Sequence, residues 1–115
     1  MQLEIGFAVV LDKTAQIDNL RLMRDAGVRL VVGSDEPRAT SSFETDYLGT
    51  LNLFSNAELL RMWSTDCSTA LFPERRLGAL RPAYEASFLA LGADPLADFN
   101  ATENITLRVK EGRVL

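Results

Sequence analysis

Three carboxylates stand where strands of this sequence should end. Asp12 follows the alternating residues Leu3, Ile5, Phe7, Val9 and Leu11, and Asp35 with Glu36 follows the apolar run at 28–32. In a parallel βα arrangement the carboxyl ends of adjacent strands share one edge, and α/β proteins place ligands there. Carboxylates on that rim could hold a hard cation through oxygen, or one of them could act as a base. Acidic residues after strands are also commonly plain solvated loop residues, so both readings stay open at this point. The sequence holds no histidine. Imidazole is therefore closed to this chain acting alone, whether as base, acid or metal ligand, and Ser-His-Asp and Cys-His machinery is closed with it. The single cysteine, Cys67, cannot form an intramolecular disulfide, which fits a reducing compartment. It is expected on a helix, as core filler away from the strand edge.

The elements that must position these groups can be read from periodicity and punctuation. Alternation over 3–11 predicts a strand with one apolar face, and the nearly continuous β-branched run at 28–32 predicts a strand buried on both faces of a parallel sheet. Between them, Ile17, Leu20, Met23 and Ala26 recur at helical spacing, with Asp18 able to cap the start and Gly27 suited to a left-handed stop. Strand, helix and strand make a βαβ unit whose two strands are expected to be parallel neighbours.

Residues 34–52, with Pro37, the Ala39-Thr40-Ser41-Ser42 run and Gly49, read as a long polar loop carrying Glu44 and Asp46. Ser55-Asn56-Ala57-Glu58 matches a capping box, so a helix should start near Asn56 and include Met62 and Trp63 as packing residues. A second short helix is expected over about 66–72, stopping before Pro73, then a connector over 73–82 with Arg75-Arg76 as a solvated pair. A strand is expected over 86–91. Ile105, Leu107 and Val109, followed by Glu111-Gly112, predict a C-terminal hairpin in a separate antiparallel group.

Composition narrows the function classes. Twelve basic against sixteen acidic side chains give a net charge of −4, which argues against nucleic acid as a partner. No apolar run approaches the ~18 residues of a membrane helix, and the N-terminus lacks a secretory pattern, so a cytoplasmic location without membrane attachment is expected. At 47% apolar residues and a mean hydropathy of +0.02, the chain belongs with folded globular proteins. Its 115 residues suffice for one core. They do not suffice for a complete eight-stranded α/β barrel, which needs about 200 or more.

From Ala26-Gly27-Val28-Arg29-Leu30-Val31-Val32-Gly33-Ser34-Asp35 onward the sequence resembles the amidohydrolase superfamily of metal-dependent hydrolases, at its last barrel strand. Ser64-Thr65-Asp66-Cys67-Ser68-Thr69-Ala70-Leu71 is similar to that family's helix after the barrel. The stretch Leu77-Gly78-Ala79-Leu80-Arg81-Pro82 with Ala83-Tyr84-Glu85-Ala86-Ser87-Phe88 is similar to its return into a small β domain. Ala93-Asp94-Pro95-Leu96 and the ending at 109–115 complete the order. Two positions depart from the pattern, with Ala83 where glycine is usual and Ser87 where aspartate is usual. The imidazolonepropionase and prolidase-like branches are nearest.

The resemblance implies an α/β fold: a partial (β/α) barrel segment of the last two strands and helices over 1–76, and C-terminal strands of a composite β-sandwich over 77–115. It implies Asp35 as the aspartate that ligates the catalytic metal and takes the proton of its bound water. The complete enzyme would use zinc or a similar divalent metal on carbon–nitrogen bonds of a small-molecule substrate. The chain alone is expected to hold no metal and to be inactive, because the family's histidine ligands all belong to earlier strands. Open strand edges predict self-association or pairing with an N-terminal barrel portion. The alternative is a non-enzymatic α/β domain for assembly or binding.

Overall fold

The computed structural model describes residues 2–5, 13–34 and 40–115, the first four by backbone alone. Strand β1 (Gln2–Ile5) pairs in parallel with β2 (Arg29–Val32), Gln2 opposite Arg29 and Ile5 opposite Val32. Leu30, Val31 and Val32 are all buried. Successive strand side chains point to opposite faces, so burial of all three means β2 is covered on both sides, as the apolar run predicts. The expected strand over 3–11 is described only to Ile5, and its second half lies outside the described residues.

The connecting helix α1 (Lys13–Asp25) starts earlier than its apolar spacing suggests. Asp18 does not cap it but sits within it, 3.3 Å from Arg21. The first turn, Lys13-Thr14-Ala15-Gln16, has no large apolar residue to mark a period, yet Lys, Ala and Gln are good helix formers. The end is as expected. Gly27 takes φ +75°, and the bonds Val28 N–H to Met23 O and Gly27 N–H to Arg24 O, both 3.0 Å, close a Schellman motif that satisfies two terminal carbonyls.

The predicted loop over 34–52 is corrected by helix α2 (Ser42–Thr50). Its buried face is Glu44, Thr45 and Leu48, while Phe43 is exposed. Apolar periodicity cannot reveal a helix whose inward face is two-thirds polar.

The next helix begins as a capping box should: the Ser55 hydroxyl accepts from Glu58 N–H at 3.2 Å, and the Glu58 carboxylate accepts from Ser55 N–H at 2.7 Å. The two helices expected here are one continuous run. α3 (Asn56–Arg61) passes through a π-helical turn (Met62–Asp66) into α4 (Cys67–Leu71), ending short of Pro73. Leu20, Leu30, Val32, Leu48, Leu59 and Met62 meet in the core, so α1, β2, α2 and this helix share one apolar cluster.

The C-terminal strands form the separate antiparallel sheet that was expected, in the order β3 (Phe88–Leu91), β4 (Ile105–Lys110), β5 (Arg113–Val114). Glu111 at φ +50° and Gly112 at φ +77° give the two left-handed central residues of a type I′ hairpin turn. None of the residues in these three strands is buried; Leu89 is 55% exposed and Val114 69%.

Both departures from the family pattern acquire a local meaning. Ala83 adopts φ +67°, a left-handed conformation that costs an L-residue about 1–2 kcal/mol and glycine almost nothing. The Ser87 hydroxyl bonds the Glu85 carboxylate at 2.8 Å and accepts the Glu111 N–H at 3.0 Å, an acceptor role that a carboxylate could also fill. Ala83→Gly is therefore expected to stabilise the chain by roughly 0.5–1 kcal/mol, once glycine's larger unfolded-state entropy is subtracted. Urea denaturation measures it. A lower midpoint for the variant would show that the left-handed geometry is not held in solution.

Candidate functional site

Three segments bear on the carboxyl end of β2 and the start of α2. β2 ends at Val32, and Gly33 and Ser34, both half-buried, follow it. Asp35 and Glu36 come next in sequence and, like Asp12, lie outside the described residues, so the three candidate carboxylates have no described geometry. The chain is described again from Thr40, and Ser41 leads into α2. The third segment is the helix containing the π turn.

That helix reaches the start of α2 through Trp63 and the end of β2 through Cys67. Trp63 donates its indole N–H to the Ser41 hydroxyl at 2.8 Å and lies 6.3 Å, ring to ring, from Phe99. Met62, its neighbour, is buried in the core. Both therefore pack as expected. Cys67 does lie on the helix, but its expected distance from the strand edge is corrected: its Sγ is 3.6 Å from the carbonyl oxygen of Val32, the last residue of β2. The helix passes directly over that edge, which sequence spacing could not reveal.

Ser41 binds more than the indole. Its carbonyl accepts from Thr45 Oγ1 at 2.8 Å and from Thr45 N–H at 3.1 Å, which fixes the first turn of α2. Thr45 is fully buried, and these bonds satisfy its hydroxyl.

Glu44, in the same turn, differs from the loop carboxylate the sequence suggests. It is 4% exposed, and its Oε2 has no hydrogen-bond partner among the described residues. Asp46, further along α2, has its carboxyl pushed above the usual range, first by partial burial and then by the nearby Glu103 carboxylate. Arg75 of the expected solvated pair is engaged: it lies 2.6 Å from Glu85 and over the Phe72 ring, and the Glu85 hydrogen bond and charge hold its guanidinium above its ordinary range.

A second feature is an apolar groove of about 760 Å³ between the helix and the C-terminal sheet, walled by Leu60 and Trp63 on one side and Phe88, Leu89 and Ile105 on the other. The connector closes one end through Gly78, whose carbonyl accepts from Thr65 Oγ1 at 2.7 Å. Gly78 has φ +88°, and a Cβ there would sit 2.6 Å from Ser68 Oγ, so glycine is required for this approach.

Zinc in a catalytic site takes three protein ligands, usually with histidine among them. This chain has no histidine, and among the described residues no three His, Cys, Asp or Glu side chains gather as a ligand set. Its residues do not fit a resident catalytic zinc by themselves. No helix of the described residues is long and apolar enough to cross a membrane.

Comparison with known proteins follows the fold. No protein-family model matches the chain, and no curated protein matches it by sequence. Solved structures do. A Bifidobacterium longum protein provisionally named a prolidase superposes with a TM-score of 0.76 at 27% identity, over 86% of this chain and 26% of that one. A protein described as an amidohydrolase gives 0.75 at 26% identity, over 89% and 26%. The A. niger ochratoxinase gives 0.77 at 22% identity, over 88% and 24%, a likeness of fold. The chain thus spans about a quarter of the length of the structures it matches.

Proposed function

The chain is related to the amidohydrolase superfamily, and from that relationship we propose that it is the C-terminal part of a metal-dependent hydrolase acting on carbon–nitrogen bonds of amide or peptide-like substrates. The observation carrying this reading is the match itself, nearly nine-tenths of this chain against a quarter of hydrolase structures. In this reading residues 1–76 are the end of a (β/α) barrel, its last two strands and their helices. Residues 77–115 are the returning strands of a small β domain, and the open groove beside β3 is where further polypeptide packs. Asp35 is the carboxylate at the end of the last barrel strand that accepts a proton from water and passes it to the leaving group. Zinc or a similar divalent ion, held mainly by histidines of the remaining barrel, would supply Lewis-acid activation there. The chain alone is inactive. Its partner is an N-terminal barrel portion or, failing that, another copy of itself, and its compartment is the cytoplasm.

The absence of histidine favours a second reading, a non-enzymatic assembly or binding domain that keeps the fold's edge. Intact mass and size in the source cell separate the two. The hydrolase reading expects this sequence within an assembly roughly four times its length. A free 12.7 kDa species that stays monomeric at micromolar concentration would reject it.

A further inference from the structure

At the amino end of β2 a cavity of about 200 Å³ lies between that strand, the end of α1 and the helix carrying the π turn. Its apolar wall is Val28, Phe54 and Met62, and five charged side chains stand around it: Arg24, Arg29, Glu58, Arg61 and Asp66. Two of the five are engaged by the fold. The Arg24 guanidinium is held by the Leu53 carbonyl and the Asp25 carboxylate, and Glu58 accepts the Ser55 N–H of the capping box. The other three, Arg29, Arg61 and Asp66, make no side-chain hydrogen bond or ion pair among the described residues. Arg61 and Asp66 stand five residues apart across the π turn, whose i to i+5 bonding brings such positions to the same side of the helix. A cation and an anion thereby reach one cavity from one turn.

The uncommitted groups are thus two guanidinium ions and one carboxylate beside an apolar wall. Their complement is a small molecule with a carboxylate for the arginines, which bind planar oxyanions bidentately, an ammonium for Asp66, and an apolar body. Size sets a limit. Drug-sized ligands occupy about 300–1,000 Å³, so this cavity takes something smaller. Inorganic phosphate would satisfy the arginines, but as a dianion beside Asp66 and Glu58 it would meet like charge, and it would leave the apolar wall in water. We propose that this cavity binds a free α-amino acid with an apolar side chain, its carboxylate on Arg29 and Arg61 and its ammonium on Asp66. The inference goes beyond the hydrolase reading and stands without it, since every group it uses belongs to this chain.

Leucine and 4-methylpentanoate, the same skeleton without the ammonium, test the site on the 115-residue chain through amide chemical shifts in NMR. Leucine is expected to bind with a Kd of about 1 mM, moving the amides at 28–30 and 61–66 and leaving those of β3, β4 and β5 in place. Arg61→Gln should weaken both ligands about tenfold, the worth of a charge-assisted hydrogen bond. Arg61 is exposed, so its replacement leaves the core intact. Asp66→Asn should weaken leucine by a similar factor and leave 4-methylpentanoate unchanged or tighter, a split that general loss of structure cannot produce. No shift at about 10 mM leucine overturns the site, as does undiminished binding in Arg61→Gln or equal weakening of the two ligands in Asp66→Asn. Inorganic phosphate that binds more tightly than leucine, and is lost in Arg61→Gln, overturns the amino acid as the ligand.

Discussion

Asp35→Asn in the assembled hydrolase is expected to reduce kcat by about 10²–10⁴-fold, the usual worth of a positioned general base. In the isolated 115-residue chain the same change should alter nothing. The contrast comes from counting groups. Asparagine keeps the size and an acceptor oxygen of aspartate but cannot take up a proton at neutral pH. Where the remaining barrel supplies the other groups, loss of the base stops proton transfer from water to the leaving group. Where it does not, there is no reaction to stop. The chain alone should also release zinc on dialysis, because carboxylates without nitrogen or sulfur ligands favour calcium or magnesium and bind weakly. The measurements are turnover of an amide or peptide-like substrate, and metal content after dialysis, for both variants in both contexts. Stoichiometric zinc held by the isolated chain, with activity lost in Asp35→Asn, would show that this chain completes a site by itself. Full activity of Asp35→Asn in the assembly would remove Asp35 from the mechanism.

The second large effect concerns α2. Leu48 is 1% exposed and is the sole large apolar side chain on that helix's buried face, beside Glu44 and Thr45. It meets Leu51, Leu53, Leu59 and Met62 in the cluster that includes β2. Leu48→Ala removes the transfer energy of the deleted methyl groups and leaves a cavity that a close-packed site only partly closes, together about 2–5 kcal/mol. Domains of this class have about 5–15 kcal/mol in total, and this one has a sheet with no buried residue to add to its core. A fraction of the variant should be unfolded without denaturant. Urea titration followed by Trp63 fluorescence, which reports on the neighbouring helix, reads the change. A loss below about 1 kcal/mol would mean that α2 is not docked through Leu48.

These two sites illustrate how unevenly the sequence discloses the molecule. Elements with local causes were legible: the Gly27 stop, the Ser55–Glu58 capping box, the Glu111-Gly112 turn and the doubly buried β2 each follow from residue types over a few positions. α2 was not legible, because Glu44 and Thr45 occupy inward positions for tertiary reasons that no local pattern carries. The start of α1 was missed for lack of apolar residues in its first turn. The π turn merged two expected helices and brought Cys67 to the end of β2, a three-dimensional register that spacing along the chain does not encode. The sequence proposes Asp35 through family resemblance, and that residue lies outside the described ones. Nor could spacing show that Trp63 meets Ser41 and Cys67 meets the end of β2, since these contacts join positions 22 and 35 residues apart.

Among the described residues the buried Glu44 Oε2 has no hydrogen-bond partner, which bears on the life of the chain in a cell. A buried acceptor without a donor lowers stability by about 1–3 kcal/mol, which multiplies the unfolded population by about 5–150. Proteases and chaperones act on that population continuously. A copy that has found no donor for Glu44 is thereby exposed to degradation more often than one whose carboxylate is satisfied. A donor supplied to Glu44 would therefore be expected to lengthen the lifetime of the chain.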